Sequence, residues 1–233
     1  MKTIGLIGGM SWESTALYYR ILNEETGRRL GGLHSAPILL DSLDFAPIED
    51  LQRAGKWDEA GAILAASAKR LEVAGAGVIG LATNTMHIVA GHVTNGLNIP
   101  FLHIADPTAD ALIAKGIGRA GLLGTRFTME MSFYKDRLKA RGLDVLVPDG
   151  EITALNAIIY DELCHGIVRD ASRQIFVDAI RDLAERGAEA VILGCTEIGM
   201  LIDDRSSRLP VFDTTGLHAK ALVAAALADE ING

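Results

Sequence analysis

Short apolar runs alternate with longer amphipathic stretches along the whole chain. The runs are bounded by Gly, Asp or Pro, as is typical of buried strands, and the stretches between them are rich in Ala, Leu, Glu and Arg, as helices are. Strands are predicted at Thr3–Ile7, Pro37–Leu40, Val78–Leu81, Phe101–Ile104, Arg119–Leu123, Leu143–Val147 and Val191–Leu193. Helices are predicted most clearly at Glu59–Ala74, Ala154–Ile167 and Ser172–Arg186. This alternation predicts an α/β fold in which helices cover parallel sheets.

The chain also contains a weak internal repeat. Ile4-Gly5-Leu6-Ile7-Gly8 resembles Ala120-Gly121-Leu122-Leu123-Gly124, and each of these runs opens one half of the sequence. Gly75-Ala76 and Gly187-Ala188 then each precede a further apolar strand. Gly-Ala before a strand is common in α/β proteins, so a chance match is the alternative. A structural repeat predicts two pseudo-symmetric, Rossmann-like domains.

A polar cluster follows the later strand of each half. Thr83-Asn84-Thr85 follows the first of these strands, and Cys195-Thr196-Glu197 follows the other at the same offset. Open parallel sheets bind ligands outside the carboxyl ends of their strands. We therefore expect both clusters to meet at one active site in the cleft between the two domains.

The end of the sequence adds one more strand and one more helix. Pro210–Asp213 has the pattern of a strand, and His218–Ala228 that of a helix. Because the second half is complete without them, we expect both to return to the first half and to bring the termini close together. The expected domains are then residues 1–98 with 210–233, and residues 99–209.

Composition and charge exclude several classes of protein. The 233 residues are 49% hydrophobic and carry a net charge of −8, with no basic cluster that could neutralise a run of phosphates, so nucleic acid is not an expected partner. No apolar run approaches the roughly 20 residues that span a bilayer, and Met1–Gly8 is too short for a signal peptide, so no membrane is expected either. With Cys164 and Cys195 as the cysteines, a disulfide framework is ruled out and a reducing compartment, the cytoplasm, is expected.

The glycine-rich opening does not predict a nucleotide site. Gly5–Met10 lacks the spacing of a dinucleotide-binding loop and the Lys-Ser/Thr of a P-loop. Its glycines could bring backbone N–H groups to a small anion at the next helix, with Ser11, Glu13 and Ser14 available to cap it. A tight strand-to-helix turn without a ligand is an equal alternative.

Two further residues have both a functional and a packing interpretation. His87 could belong to a ligand site, cap a helix or satisfy a buried carbonyl, and no second ligand at metal spacing accompanies it, so no metal is expected. Cys195 could be a thiolate favoured by a positive helix end, or a buried small apolar residue. Cys164 and His165 are neighbours, which diverge on a helix, so packing is the better account of that pair.

Taken together, these motifs resemble those of the aspartate/glutamate racemase family over almost the whole chain. The matching segments are Ile4–Thr15, Thr83-Asn84-Thr85-Met86-His87, Gly194-Cys195-Thr196-Glu197-Ile198 and Phe212-Asp213-Thr214-Thr215. The resemblance implies two pseudo-symmetric α/β domains, a homodimer, and racemisation of an amino acid without pyridoxal phosphate or a metal. Catalysis in this family typically uses one cysteine from each domain, on opposite faces of the substrate.

In this chain the resemblance assigns catalysis to Cys195 and Thr83, because Thr83 stands where the first cysteine is usual. By the resemblance, Cys195 takes the α-proton of the L-enantiomer and Thr83 serves the opposite face. A cysteine with a pKa of about 8.5 can wait as a thiolate, whereas an alcohol is too weak an acid and can only donate or relay a proton. The implied preference is L to D.

The resemblance also implies the substrate contacts. The amino-acid head group would be surrounded by Met10, Asn84, Thr85, Thr125 and Thr196. Gln52 would approach a distal carboxylate, but Ile167 stands where the family commonly has a lysine for it, and Arg169 or Arg53 is the candidate substitute for that lysine. Aspartate and glutamate are the leading substrates. The alternatives are a neutral amino acid, a hydantoin or a malonate derivative, or an inactive amino-acid-binding module.

Overall fold

A computed structural model describes residues 1–231 of the chain. The strands are β1 (Ile4–Gly8), β2 (Ile38–Ser42), β3 (Val78–Leu81), β4 (Arg119–Gly124), β5 (Asp144–Leu146), β6 (Ala190–Gly194) and β7 (Val211–Asp213). The helices are α1 (Trp12–Leu30), α2 (Phe45–Arg53), α3 (Trp57–Val73), α4 (Ala90–Thr94), α5 (Ala105–Ala114), α6 (Arg126–Glu130), α7 (Ser132–Lys139), α8 (Ile152–Asp161), α9 (Asp170–Glu185) and α10 (Thr214–Ile231). Short 3₁₀ helices cover Thr85–Val89, Leu163–His165 and Thr196–Met200.

The chain divides into two compact units. Unit 1 contains Met1–Ile104 together with the chain from His218 onward, and unit 2 contains Ala105–Leu217. Each unit holds one parallel sheet, with strand order β2-β1-β3 in unit 1 and β5-β4-β6-β7 in unit 2. The predicted α/β architecture with two parallel sheets is therefore confirmed.

The two sheets repeat the same pairing in the same register. Ile4 of β1 faces Val78 of β3, and Ala120 of β4 faces Ala190 of β6. Thr83 follows Val78 at the distance at which Cys195 follows Ala190. The register therefore accounts for the sequence repeat, and Thr83 and Cys195 occupy equivalent places in their units.

The predicted strand Phe101–Ile104 is reduced to a single parallel bridge between Phe101 and Ile79. The Leu102 N–H donates to the Ile79 carbonyl at 2.9 Å, but the Ile104 N–H donates to the imidazole of His87 at 3.2 Å. The pairing stops because a side chain takes the donor that would extend it. In unit 2 the equivalent segment is the full strand β7, beside β6.

The expectation that the strand at 210–213 returns to the first half is wrong. β7 pairs with β6, with Val211 facing Val191 and Asp213 facing Leu193. All residues of β6 are buried, so its backbone groups need partners on both sides, and β7 supplies them on the side away from β4.

The last helix, by contrast, belongs to unit 1 from His218 onward. Leu222 and Val223 of α10 are fully buried in one cluster with Ile4 and Tyr18. The helix that follows β7 thus completes the core of unit 1, and α5, which follows the bridge at Phe101, belongs to unit 2. Neither α10 nor any other helix within residues 1–231 is both long and apolar enough to cross a bilayer.

Two of the three predicted helices match the structure closely, and the third ends earlier than predicted. Glu59–Ala74 corresponds to α3 and Ser172–Arg186 to α9, each within two residues. The helix predicted at Ala154–Ile167 stops at Asp161, because the chain turns there through the short 3₁₀ helix and then Gly166, whose φ is +70°. A positive φ is a conformation that glycine adopts without strain and that ends a helix.

Candidate functional site

The turn from β1 into α1 depends on Gly9. Its φ is +90°, and a Cβ here would lie 2.0 Å from the Leu43 carbonyl oxygen, so only glycine fits. The Gly9 N–H donates to Thr15 Oγ1 at 2.8 Å, and Ser11 caps α1 by accepting the Ser14 N–H at 3.2 Å. The expected helix cap at Ser11 is confirmed. Because Thr15 accepts the Gly9 N–H, that donor is engaged within the turn.

The cluster after β3 is tied to this turn. Ser14 Oγ donates to the Ala82 carbonyl at 2.8 Å, immediately before Thr83. Thr83 is half-buried, and Asn84 and Thr85 are buried. Since β1 and β3 are adjacent parallel strands, this segment lies at the same sheet edge as the turn.

Met10 and Gln52 belong to the buried part of unit 1. Met10 is 3% exposed and lies within the turn between β1 and α1, directly after Gly9. Gln52 is 2% exposed, and its Nε2 lies 2.9 Å from Sδ of Met86, which directly follows Thr85. The structure therefore brings Gln52 to the segment that carries Thr83.

His87 satisfies a buried carbonyl. Its Nδ1 lies 2.8 Å from the Thr83 carbonyl oxygen, and its Nε2 accepts the Ile104 N–H. Burial lowers the pKa of His87 well below its ordinary value, and His103 and His218 lower it further. His87 is therefore a neutral residue behind Thr83, in agreement with one of the three interpretations that the sequence left open.

Cys195 follows β6 and hydrogen-bonds to Glu197. Its Sγ donates to Glu197 Oε2 at 2.9 Å, and the two residues are 7% and 6% exposed. Burial raises the pKa of Cys195 well above its ordinary value, and the Glu197 charge raises it further. Both effects favour the thiol over the thiolate. Of the two interpretations that the sequence leaves open for Cys195, its burial agrees with the packing one, and the nearby carboxylate opposes a thiolate at the start of the five-residue 3₁₀ helix.

Thr125 and Thr196 lie at the same edge of the sheet of unit 2. Gly124 and Gly194 are paired, so Thr125 and Cys195 are the next residues on neighbouring strands. Thr125 caps α6 by accepting the Thr128 N–H at 3.3 Å, and Thr196 is buried beside Cys195. Unit 2 thus brings its predicted site residues together at the carboxyl ends of β4 and β6.

Glu197 is a site residue that the motifs of the sequence do not single out. It belongs to the segment Cys195-Thr196-Glu197, in which the resemblance assigns no function to the carboxylate. A carboxylate two positions after a cysteine that opens a helical turn can fold back on the thiol. That spacing was the available signal, and the hydrogen bond of 2.9 Å shows its consequence.

The expected cations for a distal carboxylate are already engaged. Arg169 Nη1 lies 2.6 Å from Glu162 Oε1, and Arg53 Nε lies 2.5 Å from Glu49 Oε1. Ile167 is 39% exposed and presents an apolar side chain. Each arginine therefore has a carboxylate partner within the protein.

The remaining cysteine and the histidines form no metal centre. Cys164 is partly buried and packs against the core cluster of unit 2, as its packing interpretation predicts. Across residues 1–231, no three His, Cys, Asp or Glu side chains are grouped so that they could hold a metal ion.

Comparison with known proteins identifies relatives over nearly the whole chain. The family model described as Asp/Glu/Hydantoin racemase matches residues 7–222. The "Broad specificity amino-acid racemase RacX" of Bacillus subtilis (strain 168) is 29% identical over 163 residues, which are 69% of this chain and 70% of that protein. The crystal structure of a candidate Asp/Glu racemase from Yersinia pestis is 48% identical and covers 97% of this chain and 100% of its own, with a TM-score of 0.91. PH1733, an aspartate racemase homologue from Pyrococcus horikoshii OT3, is 35% identical and covers 97% and 99% of the two chains, with a TM-score of 0.83.

Glu197→Gln is expected to make Cys195 more reactive towards iodoacetamide near neutral pH. Only the thiolate is alkylated, and loss of the carboxylate charge lowers the raised pKa of Cys195. In the wild type the rate should still be rising above about pH 8.5, the ordinary pKa of a cysteine thiol, because burial and Glu197 raise the pKa of Cys195. In the variant the rate at about pH 8 should be roughly three- to tenfold higher. The alkylation rate is measured by mass spectrometry of the Cys195 peptide, with both proteins carrying Cys164→Ala. Equal rates for the wild type and Glu197→Gln at every pH would show that Glu197 does not control the reactivity of the Cys195 thiol.

Proposed function

The chain belongs to the Asp/Glu/Hydantoin racemase family of enzymes, and we propose that it racemises an amino acid without a cofactor, with Cys195 and Thr83 acting on opposite faces of the α-carbon. The observation that carries the proposal is the hydrogen bond from the Cys195 thiol to Glu197, 2.9 Å long and buried. It gives one reactive side chain a built-in proton acceptor. The equivalent position of Thr83 in the other unit supports its role as the second group.

Cys195 becomes a base by passing its proton to Glu197. The transfer converts a thiol and a carboxylate into a thiolate and a carboxylic acid, so it moves a negative charge along one hydrogen bond instead of creating one in a buried place. The thiolate then removes the α-proton of the L-enantiomer, and the electron pair of the broken C–H bond stays on the substrate as a carbanion. This step requires no pyridoxal phosphate and no metal.

Thr83 then supplies a proton to the opposite face. Its hydroxyl gives its proton to the carbanion while it takes one from water, because an alkoxide is too basic to persist. The hydroxide that this leaves is neutralised when Glu197 releases to solvent the proton that it took from Cys195. Thr83 is only half-buried, which is consistent with access of water. In the reverse direction Thr83 would have to act as the base, and an alcohol does so poorly. We therefore propose a kinetic preference for L over D, with the equilibrium itself unchanged.

Buried donors around the two groups would hold the head group and the carbanion. In this proposal the head group contacts Met10, Asn84, Thr85, Thr125 and Thr196, all of which are buried and lie at the carboxyl ends of strands or in the segment that follows them. Fixed donors in a site without bulk water stabilise developing negative charge better than water does. Gln52, held beside Met86, is the proposed contact for the distal part of the side chain.

Aspartate and glutamate are the proposed substrates, and a neutral amino acid is a second candidate favoured by specific observations. Ile167 offers no charge, and both Arg53 and Arg169 are paired with carboxylates of the protein. A distal carboxylate would have to compete with those partners. The broad-specificity racemase among the relatives is consistent with the second candidate. A hydantoin or a malonate derivative is a third substrate class to include in assays.

We also propose a homodimer in the cytoplasm. Trp12 and Tyr19 of α1 are 68% and 59% exposed, and large aromatic side chains on a surface favour an interface. Both cysteines are free thiols, which suits a reducing compartment.

Cys195→Ala is expected to reduce exchange of the substrate α-hydrogen with solvent by about 100-fold or more, because it removes the proposed base. The assay incubates a panel of L-amino acids in D₂O and follows α-deuterium by mass spectrometry or NMR. The matched control is Cys164→Ala, which should stay close to the wild type because Cys164 packs against the core and takes no part in the proposed reaction. Near wild-type exchange in a folded Cys195→Ala protein would remove Cys195 from the mechanism.

Thr83→Cys is expected to increase turnover of the D-enantiomer roughly tenfold or more, with a much smaller effect on the L-enantiomer, because a thiol can act as a base where an alcohol cannot. Thr83→Ser keeps a hydroxyl and should keep the preference for L. Polarimetry or chiral chromatography with each enantiomer measures both rates. Equal wild-type rates on the two enantiomers would contradict the role proposed for Thr83.

Ile167→Lys is expected to raise kcat/KM for L-aspartate or L-glutamate, relative to a neutral amino acid, by about fivefold, the effect of a partly exposed ion pair. The control is Ile167→Met, which introduces an unbranched side chain similar in length to lysine but without its charge. If the ratio stays constant, position 167 does not select the substrate.

A further inference from the structure

Three buried histidines form a cluster in unit 1, and the proposed reaction uses none of them. His87, His103 and His218 are 2%, 5% and 0% exposed. The ring of His87 lies 4.5 Å from that of His103 and 5.9 Å from that of His218, measured between centroids. An imidazole is costly to bury unless its nitrogens are hydrogen-bonded. The partners of this cluster therefore indicate what it does.

The two hydrogen bonds of His87 define its tautomer. The Thr83 carbonyl can only accept, so Nδ1 must carry a proton and donate it across the 2.8 Å contact. The Ile104 N–H can only donate, so Nε2 must be free of a proton to accept at 3.2 Å. Only the neutral ring with its proton on Nδ1 satisfies both contacts. The lowered pKa of His87 agrees with this assignment.

The same reasoning applies to His218, which packs against His87. Its Nε2 lies 2.9 Å from the Leu102 carbonyl oxygen, so Nε2 carries the proton. Its Nδ1 then accepts the hydroxyl proton of Tyr18, at 2.7 Å. Two neighbouring rings are thus fixed by backbone carbonyls and by a buried tyrosine, and Phe101 packs on His87 with its centroid at 5.6 Å.

We propose that His87 is a positioning residue for Thr83: its Nδ1–H holds the Thr83 carbonyl so that the hydroxyl of the same residue faces the carbanion. The inference rests on the proposed function of Thr83 as the proton donor. Thr83 lies between β3 and the 3₁₀ helix at Thr85–Val89, where no strand pairing fixes it. Ser14 holds the preceding carbonyl, of Ala82, so the two side chains clamp consecutive peptide groups. A rigid ring, buried among others, keeps the proposed donor in one place.

This role predicts a change that loss of packing alone would not cause. A carbanion formed by Cys195 has two fates, because Cys195 can return a proton to the same face and Thr83 can deliver one to the opposite face. The first gives L-amino acid labelled with solvent deuterium, and the second gives the D-enantiomer. A misplaced Thr83 therefore raises the ratio of exchange to inversion. General destabilisation lowers both rates together and leaves their ratio unchanged.

Two substitutions separate the two bonds of His87. His87→Asn can place an amide N–H close to the position of Nδ1 and keep the donor to Thr83. His87→Gln can place an amide oxygen close to the position of Nε2 and keep the acceptor for Ile104, but it loses the donor to Thr83. The exchange-to-inversion ratio in D₂O should rise about tenfold in His87→Gln, as expected for loss of one buried hydrogen bond, and stay within about threefold of the wild type in His87→Asn. Thermal unfolding and near-UV circular dichroism of both variants check the fold.

The possible results lead to different conclusions. An unchanged ratio in His87→Gln, or an equal rise in both variants, overturns the positioning role while leaving the proposed racemase intact. A wild type that shows no exchange with any amino acid overturns the proposed function, and this inference with it. If His87→Gln does not fold, ¹⁵N NMR of the histidine-labelled wild type decides. A His87 ring that carries its proton on Nδ1, across the pH range in which an exposed histidine titrates, supports the inference. A ring with its proton on Nε2 excludes it.

Discussion

The pairing of parallel strands is the constraint on which the rest of this structure depends. β1 with β3, and β4 with β6, run in one direction and in matching register, so their carboxyl ends meet at one edge of each sheet. All residues of these four strands except Arg119 are buried. A slip of one residue would turn buried side chains to the wrong face and would move Thr83 or Cys195 away from the sheet edge. The positions of both residues are therefore fixed by backbone hydrogen bonds and by burial of apolar side chains.

Within this common frame the two units provide opposite chemical surroundings. Behind Thr83 stands a neutral imidazole whose Nδ1–H donates to the Thr83 carbonyl and whose Nε2 accepts the Ile104 N–H, so neither ring nitrogen is left to remove the hydroxyl proton. Beside Cys195 stands a carboxylate that can accept the thiol proton directly. The repeat thus preserved the location of two side chains, while their neighbours differ. That difference is the physical basis of the proposed preference for one enantiomer.

The sequence predicted the frame well because strands and helices leave periodic apolar patterns. It predicted Val78–Leu81 and the parallel α/β class, and its repeat matched the register. The sequence-based predictions failed where the pairing of a strand depends on a residue far away in the chain. The strand predicted at Phe101–Ile104 shrank to a bridge because His87 took a backbone donor, and the strand at 210–213 went to β6 because that buried strand lacked a partner. The same holds for the candidate site, where the position of a residue was predictable but its chemical surroundings were not. Cys195 could be placed after its strand, but the direction of its pKa shift depended on burial and on where the Glu197 carboxylate pointed.

The hydrogen bond to Glu197 explains how a thiol whose pKa is raised can still serve as the proposed base. A free thiolate in this place would face the Glu197 charge within a buried environment, and that repulsion raises its energy. A thiolate formed at the moment of proton abstraction, with its own proton already on Glu197, faces a neutral carboxylic acid instead. The arrangement keeps the resting cysteine in its less reactive form and ties formation of the base to a single hydrogen bond. Because the pair carries a single negative charge before and after the transfer, generating the base changes where that charge lies without adding a second charge to the buried site.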